Sequence, residues 1–488
     1  MALTAGFLAG GVQPQANAGA FESDASVWLM QQMRAMQPGT LNGGIYTNKE
    51  GYHNTRAANA PNDYSVVDAE DKGGPSNLAA AYDWTFEDAQ NGSFGTIARY
   101  SNRLLASGKD PNDPRLDGWR EFFGQTDNDR EVEGWDFRYD RAASSDKTHL
   151  WHIHLSEDRD KVTSYDNKVA LLSVLKGETV NQWRSTQLFT TTSTGGLVHT
   201  MRGRDGSWTG FADVKSATGA VLTPVDTASA MVAGEQHALV AGNDGELWHA
   251  IRRVDGPWTP FGNVEDFAGE IGAITRVAAT EVGGALHVVV LSGENTIHHS
   301  IRSPNGSWTA LHSVEPFAGD LSGYVDVAAA GFLNGELQVA VSMSTGGLLH
   351  TLRRTDGNWS PWGDVEAFAG NPGAAQSVSA TEVNGVFHLV ANYGFAGVRH
   401  STRLPNGNWT PLLKIDDYTG NKTGFVLDVA TTGFTSGELH VVALAAGGSI
   451  WHAARYANGG WSAWGDVRAY AGNPGLATRV GIAAGWRS

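Results

Sequence analysis

A block of roughly Leu-x-His-x-x-Arg, a glycine turn and then Trp recurs six times along the second half of the chain. The histidines are His199, His249, His299, His350, His400 and His452. The arginines three places on are Arg202, Arg252, Arg302, Arg353, Arg403 and Arg455. The closing tryptophans are Trp208, Trp258, Trp308, Trp359, Trp409 and Trp461. A period of about fifty residues is that of a propeller blade rather than a helical solenoid. Within one copy the strings RVAATEV, ALHVVVLS, TIHHSIRS and SWTALHSVE read as four short strands. The breaks between them are Gly-Gly, Gly-Glu-Asn and Pro-Asn-Gly, the chemistry of tight turns. No window in this half shows helical periodicity. The first copy starts directly at a second strand, STQLFTTT, and the last string, TRVGIAAGW, is a first strand with nothing after it. The two ends complete one blade. The expectation is six blades, closed by the C-terminal strand pairing near Gln187, which removes open sheet edges.

Composition bounds the rest. A chain of 488 residues has room for two or more domains and a sizeable core. With no cysteine, disulfides and thiolate metal sites are excluded, so a metal would be held by imidazole and carboxylate. A formal charge of −16 argues against nonspecific nucleic-acid binding. No apolar run is long enough to span a bilayer. Residues 1–20 read as an N-terminal arm. Its apolar string MALTAGFLAGGV precedes a small-residue site at Ala16-Asn17-Ala18, but without basic residues at the start it reads less as a secretory signal than as an arm.

Residues 21–182 read as a separate α+β domain, and residues 183–488 as the all-β propeller. Ser23 and Asp24 cap a helix through ASVWLMQQMRAM; GTIARYSNRLLASG and SYDNKVALLSVLKGE are two more. AAAYDWTF, EVEGWDFRY and THLWHIHLS are strand-like, and KDPNDPRLDG is a loop. His152 and His154 stand two apart on one such strand, so both point to one face. Asp83 lies on another. Two imidazoles and a carboxylate leave a coordination position open, the composition of a catalytic zinc site. The alternative is an ordinary polar strand face, since Trp151, Ile153 and Leu155 alternate with the histidines. His149 reads as a strand-edge residue. Asp68, Glu70 and Asp71 read as a solvated acidic run, with Asp68 the fallback ligand. Glu157 and Asp158 read as capping residues rather than general bases.

The Ala-x-x-Asp-Trp and His-x-His strings resemble the zinc metallopeptidases that include lysostaphin-type endopeptidases and D-alanyl-D-alanine carboxypeptidases. That resemblance implies that Asp83 and His154 bind zinc and that His152 polarises the water or stabilises the transition state. The family's first histidine, about seven residues before the Asp, is replaced here by Ser76. The upstream candidate is His53, which reaches the site only if residues 54–74 loop out.

The Trp-rich repeats resemble bacterial propeller lectins with sugar pockets between blades. The resemblance implies carbohydrate binding by the six repeat Trp and Arg, rings stacking on sugars and guanidinium groups bonding to hydroxyls. The bland alternative makes the Trp inter-blade core and the His and Arg blade-stitching hydrogen bonds. A second histidine series, His237, His287, His388 and His440, is broken by Gln338. Together these features lead to an expected cell-wall-directed protein of a virion, phage tail or extracellular setting. Its partners would be a cell-surface glycan or peptidoglycan and other tail proteins, and a zinc peptidase unit would be carried beside a glycan-binding propeller. The alternatives are a secreted bacterial wall hydrolase and a non-catalytic adhesin or tail fibre with a degenerate peptidase fold.

Overall fold

The computed structural model describes residues 20–177, 180, 185–203, 205–220, 222–232, 234–253, 257–319, 321–332, 334–434 and 437–484. The arm expected over residues 1–20 lies almost wholly outside the described residues, as do the expected boundary at 182/183, Trp183 and Trp486. The chain divides into two compact units, the division falling at residues 183/184.

The first unit is a six-stranded antiparallel sheet with helices on one face. Its strands are β1 (Thr40–Gly44), β2 (Ala81–Phe86), β3 (Trp119–Gly124), β4 (Glu133–Asp136), β5 (Arg141–Ala143) and β6 (His152–Glu157). Their order is β1-β2-β6-β3-β4-β5. The long helices are α1 (Asp24–Met36), capped by Ser23 accepting from Ser26, α2 (Gly95–Gly108), and α3 (Tyr165–Lys176), capped by Ser164 and stopped by left-handed Gly177. One sheet face sends Tyr82, Trp84, Phe86, Ile153 and Leu155 into a core with Leu29, Met33, Ile97, Leu104 and Leu171. Alternation therefore turns Asp83, Thr85, His152 and His154 to the opposite face. Three strands were not expected from the sequence. β3 is buried along nearly all its length and so has no alternating pattern to read; β1 and β5 are short and glycine- or alanine-rich.

The second unit is a ring of six four-stranded antiparallel sheets. Blades 2 to 6 run in sequence, beginning at Pro224, Ile274, Tyr324, Ser377 and Val426. Blade 1 takes its innermost strand from Ala477–Ala484, which pairs with Thr186–Thr192, Ile482 opposite Leu188. The innermost strands of successive blades pack on one another round the whole ring, with Ala477–Ala484 between those of blades 6 and 2. Closure at the expected place leaves no innermost strand unpaired.

Two details correct the sequence reading. Each outer strand is only a two-residue pairing, His312–Ser313 in blade 3, and the repeat Trp sits before it in an isolated bridge to the repeat Arg. Each outer strand is also followed by a helical turn of four or five residues, such as Glu265–Ala268, too short for periodicity to reveal. Among the described residues, no helix is long and apolar enough to cross a membrane.

Candidate functional site

Strand register brings the first constellation together. Asp83 on β2 lies directly opposite His154 on β6, and Thr85 opposite His152. His154 Nδ1 stands 2.9 Å from Asp83 Oδ1, and His152 Nε2 stands 3.6 Å from the same oxygen. His53 completes the group from a loop. Its Nε2 lies 3.1 Å from Asp83 Oδ1 and 3.2 Å from His154 Nδ1.

His53 arrives because residues 54–74 do loop out. The excursion is closed by Ala80 N–H donating to Tyr52 carbonyl and Ala57 N–H donating to Ser76 carbonyl, 2.8 Å each. Buried Arg159 ties the loop from beneath, donating to the carbonyls of Gly51, Asn54, Ser65 and Leu78. Ser76 itself is exposed on a turn. On the other side of Asp83, a Cβ on Gly43 would come within 2.8 Å of the Asp83 carbonyl, so only glycine allows β1 this approach.

The imidazoles are oriented for their lone pairs to converge. His53 Nδ1–H donates to Ile45 carbonyl at 2.8 Å, which leaves Nε2 facing Asp83. His154 Nε2 bonds Ser156 Oγ at 3.0 Å, and Ser156 donates onward to Glu121, which leaves Nδ1 facing inward. Outer partners of this kind fix the tautomer of metal-binding histidines. Burial disfavours the Asp83 carboxylate, but the adjoining His154 and His53 rings outweigh it and hold the group far below the usual carboxylate range. Burial lowers His154 despite Asp83, while Asp83 outweighs burial at His53 and raises it. Burial pushes His152 down to about 4, so its imidazole is neutral near pH 7. His53, Asp83 and His154 offer three ligand atoms within reach of one ion. Two imidazoles and one carboxylate fit zinc, with room for a water.

The remaining sequence candidates lie elsewhere. Asp68 accepts from Arg138 at 2.7 Å and from Arg120 and Tyr139 at 3.1 Å, which makes it part of an ion-pair network rather than a ligand. Asp71 is fully buried in the same network, not solvated as expected, and Glu70 lies at its edge. Glu157 is not a cap: it is buried against Lys168 at 2.6 Å and accepts from Tyr82 and Asn167. Asp158 makes no capping bond; it accepts from Arg138. His149 is no strand-edge residue. It lies inside the 3₁₀ turn Lys147–Leu150, its ring 4.6 Å from that of His152. The string His-x-x-His-x-His carried that signal.

The second constellation repeats between blades. The repeat Arg and Trp face each other across a tight turn, so both lie on one side of the blade. Each half-buried Trp meets the preceding blade's repeat His edge-on, centroids 5.4–6.3 Å apart and interplanar angles 77–84°. Each repeat Arg lowers that histidine or its second-strand partner, after burial. Six blade junctions result, each formed by His from one blade and by Trp from the next, with the repeat Arg beside it.

Within each blade the repeat His bonds a second-strand acceptor. His249, His299, His400 and His452 present Nε2 to Nδ1 of His237, His287, His388 and His440 at 2.9–3.1 Å. His199 and His350 present Nε2 to Oε1 of Gln187 and Gln338 at 2.7 and 2.9 Å. Gln338 thus supplies the same acceptor as the histidines it interrupts. These bonds run across blades rather than between them; Thr186 Oγ1 to His440 Nδ1 at 3.0 Å is an inter-blade exception.

Sequence reasoning missed one repeated feature. Phe267, Phe317, Phe368, Tyr418 and Tyr470 occupy one position in the short helices and are 55–74 % exposed. The recurring aromatic-Ala-Gly string, with Thr for Ala once, was the available signal.

No protein-family model matches this sequence, and no curated protein matches it. Solved structures of similar form include lectins. The fucose-specific lectin from Aleuria aurantia is 17 % identical, with TM-score 0.42, covering 59 % of this chain and 92 % of its own. The BP39L lectin from Burkholderia pseudomallei is 14 % identical, with TM-score 0.43, covering 58 % of this chain and 81 % of its own. AofleA from Arthrobotrys oligospora is 14 % identical, with TM-score 0.43, covering 62 % and 90 %. At identities and scores this low the likeness carries no inference about ligand.

Proposed function

We propose that this is a glycan-binding modular protein whose first unit is a zinc-dependent hydrolase acting on cell-wall peptide. The observation that carries the enzymatic reading is the convergence of His53 Nε2, Asp83 Oδ1 and His154 Nδ1 within 3.2 Å. Bound there, zinc would supply Lewis acidity and an activated water. This chain's residues would do the rest. Ile45 and Ser156 hold the two ligand imidazoles in their tautomers. His152, neutral and 3.6 Å from Asp83, is placed to hold a proton or donate a hydrogen bond beside the reacting group. Glycan binding is supported by the half-buried Trp and Arg that recur at all six blade junctions. A half-buried indole beside a guanidinium suits a sugar's apolar face and hydroxyls together. Several weak sites on one polymer give avidity, which suits retention on a wall or envelope in a virion, tail or extracellular setting.

The test is metal analysis with a wall-digestion assay. The intact chain is expected to hold one zinc and release peptide from peptidoglycan. His154→Ala is expected to lose both while still binding glycan, and His152→Ala to keep zinc and lose turnover. An intact chain without zinc after incubation with it overturns the enzymatic reading. The observation favouring the alternative, a binder with a degenerate first unit, is Ser76 at the family's usual histidine position.

A further inference from the structure

One register position on the innermost strands alternates in charge round the ring. From blade 2 to blade 1, at equivalent places in the strand pairing, its occupants are Asp226, Arg276, Asp326, Ser377, Asp428 and Arg479. Each charged side chain turns toward the following blade. Asp226, Asp326 and Asp428 accept from the next blade's amide, Val277, Val378 or Val480, at 2.9–3.0 Å. Arg276 Nε lies 3.7 Å from Asp326 Oδ1, and Arg479 Nε lies 3.8 Å from Asp226 Oδ1. Ser377 stands where a third arginine would complete the pattern, with Asp326 on the blade before and Asp428 on the blade after.

Three carboxylates therefore share two guanidinium groups. Asp428 shows the shortage: it accepts from the amides of Val429 and Val480, and the arginine acting on it, Arg479, is the one beside Asp226. Burial, then Asp428 and Asp226, push the Asp326 carboxyl upward. The hydroxyls here are also unsatisfied. Ser377 is 2 % exposed, and its Oγ meets no hydrogen-bond partner among the described residues. Ser342, paired with Asp326 across the sheet, is likewise buried and unpartnered. Buried hydroxyls ordinarily reach a partner, so this place calls for a polar occupant. There is room for one: a cavity of about 70 Å³ lies among the innermost strands, lined by the three aspartates and by Val378 and Ser379 next to Ser377.

We propose that the place of Ser377, between Asp326 and Asp428, binds a guanidinium or primary ammonium group that supplies the third cation of the alternation. Among the described residues, the groups able to surround one metal ion do not include these aspartates, which disfavours a bare divalent ion. A cation that reaches carboxylates through N–H donors spans a wider gap, and a guanidinium already does this at the two equivalent places. The bound cation donates to Asp326, Asp428 and Ser377 Oγ and ties blades 4, 5 and 6 together. The site is separate from the repeat Trp and Arg, so its failure leaves the glycan reading untouched.

The test melts the full chain by tryptophan fluorescence in millimolar guanidinium chloride, far below its denaturing range. Sodium and tetramethylammonium chloride at equal concentration carry the charge without N–H donors. Guanidinium is expected to raise the ring's melting temperature by about 2–4 °C along a saturating curve, and neither control to do so. Ser377→Arg supplies the cation from the chain itself and is expected to raise the melting temperature and remove the response. Asp326→Asn keeps an oxygen for the Val378 amide and is expected to weaken guanidinium binding at least about tenfold. Circular dichroism confirms that each variant is folded, and Asp326→Asn decides if Ser377→Arg is not. Sodium acting as strongly as guanidinium, no response to either, or a response that folded variants leave unchanged overturns the proposal.

Discussion

Acidification should unfold the propeller. Burial pushes His199, His249, His350, His388 and His440 down to about 3 and His287 to about 4. Each of these imidazoles takes part in the within-blade pairs and needs its neutral form, in which one nitrogen donates or accepts. The unfolded chain takes up those protons near pH 6.5 and the native ring does not, so stability is fully present above that pH and falls below it. By about pH 5 each such histidine costs about 2 kcal/mol, and six cost on the order of 10 kcal/mol. Buried carboxyls of the ring work the other way, Asp226 and Glu366 among them. Burial raises Asp326 to about 8, Glu265 to about 7 and Asp428 to about 6, so the native ring holds protons there that the unfolded chain lacks. They return about 2 kcal/mol each at most over the same interval. The net loss is several kcal/mol, comparable to the whole stability of a domain. Tryptophan fluorescence and far-ultraviolet circular dichroism should therefore show a cooperative transition between about pH 6 and pH 4.5. Replacing His237, His287, His388 and His440 with Gln keeps the acceptor, as Gln187 and Gln338 do, and should move the midpoint to lower pH. A ring with native fluorescence at about pH 4, or a Gln variant no more acid-resistant, would refute the reasoning.

Three further outcomes follow from particular contacts. Gly43→Ala should cost about 1–3 kcal/mol and weaken zinc binding, because the new Cβ presses on Asp83; calorimetric melting and zinc titration check both. Lys168→Met leaves the buried Glu157 carboxylate without its cation and should cost about 3–5 kcal/mol by denaturant unfolding of the first unit. Deleting residues 477–488 removes the strand that closes blade 1 and should abolish the ring's cooperative transition rather than lower it slightly, read by circular dichroism.

What the sequence disclosed depended on whether a signal was local. The ring was legible because every blade repeats the same turn glycines and the same His-Arg-Trp spacing, and because its unpaired ends, near Gln187 and Val480, were complementary. Asp83 and His154 were legible for a similar reason: a period of two on a strand puts His152 and His154 on one face whatever the strand pairs with. The pairing partner was not legible, since nothing in AYDWTF or HIHLSE states that Asp83 falls opposite His154. The approach of His53 was conditional for a deeper reason. It depends on backbone bonds between Tyr52 and Ala80 and between Ala57 and Ser76, and on Arg159, more than a hundred residues away, holding the loop by four carbonyls. Backbone acceptors carry no side-chain signature, so no motif could have shown them.

The histidine pairs show the opposite case, a chemical rule hidden by comparing residue names. As names, His237, His287, Gln338, His388 and His440 form a broken series, and Gln187 lies outside it. As hydrogen-bond acceptors they are one series of six, each taking Nε2–H of a repeat His from the neighbouring strand. The acceptor series is invisible in any one copy and emerges only when all six are laid side by side.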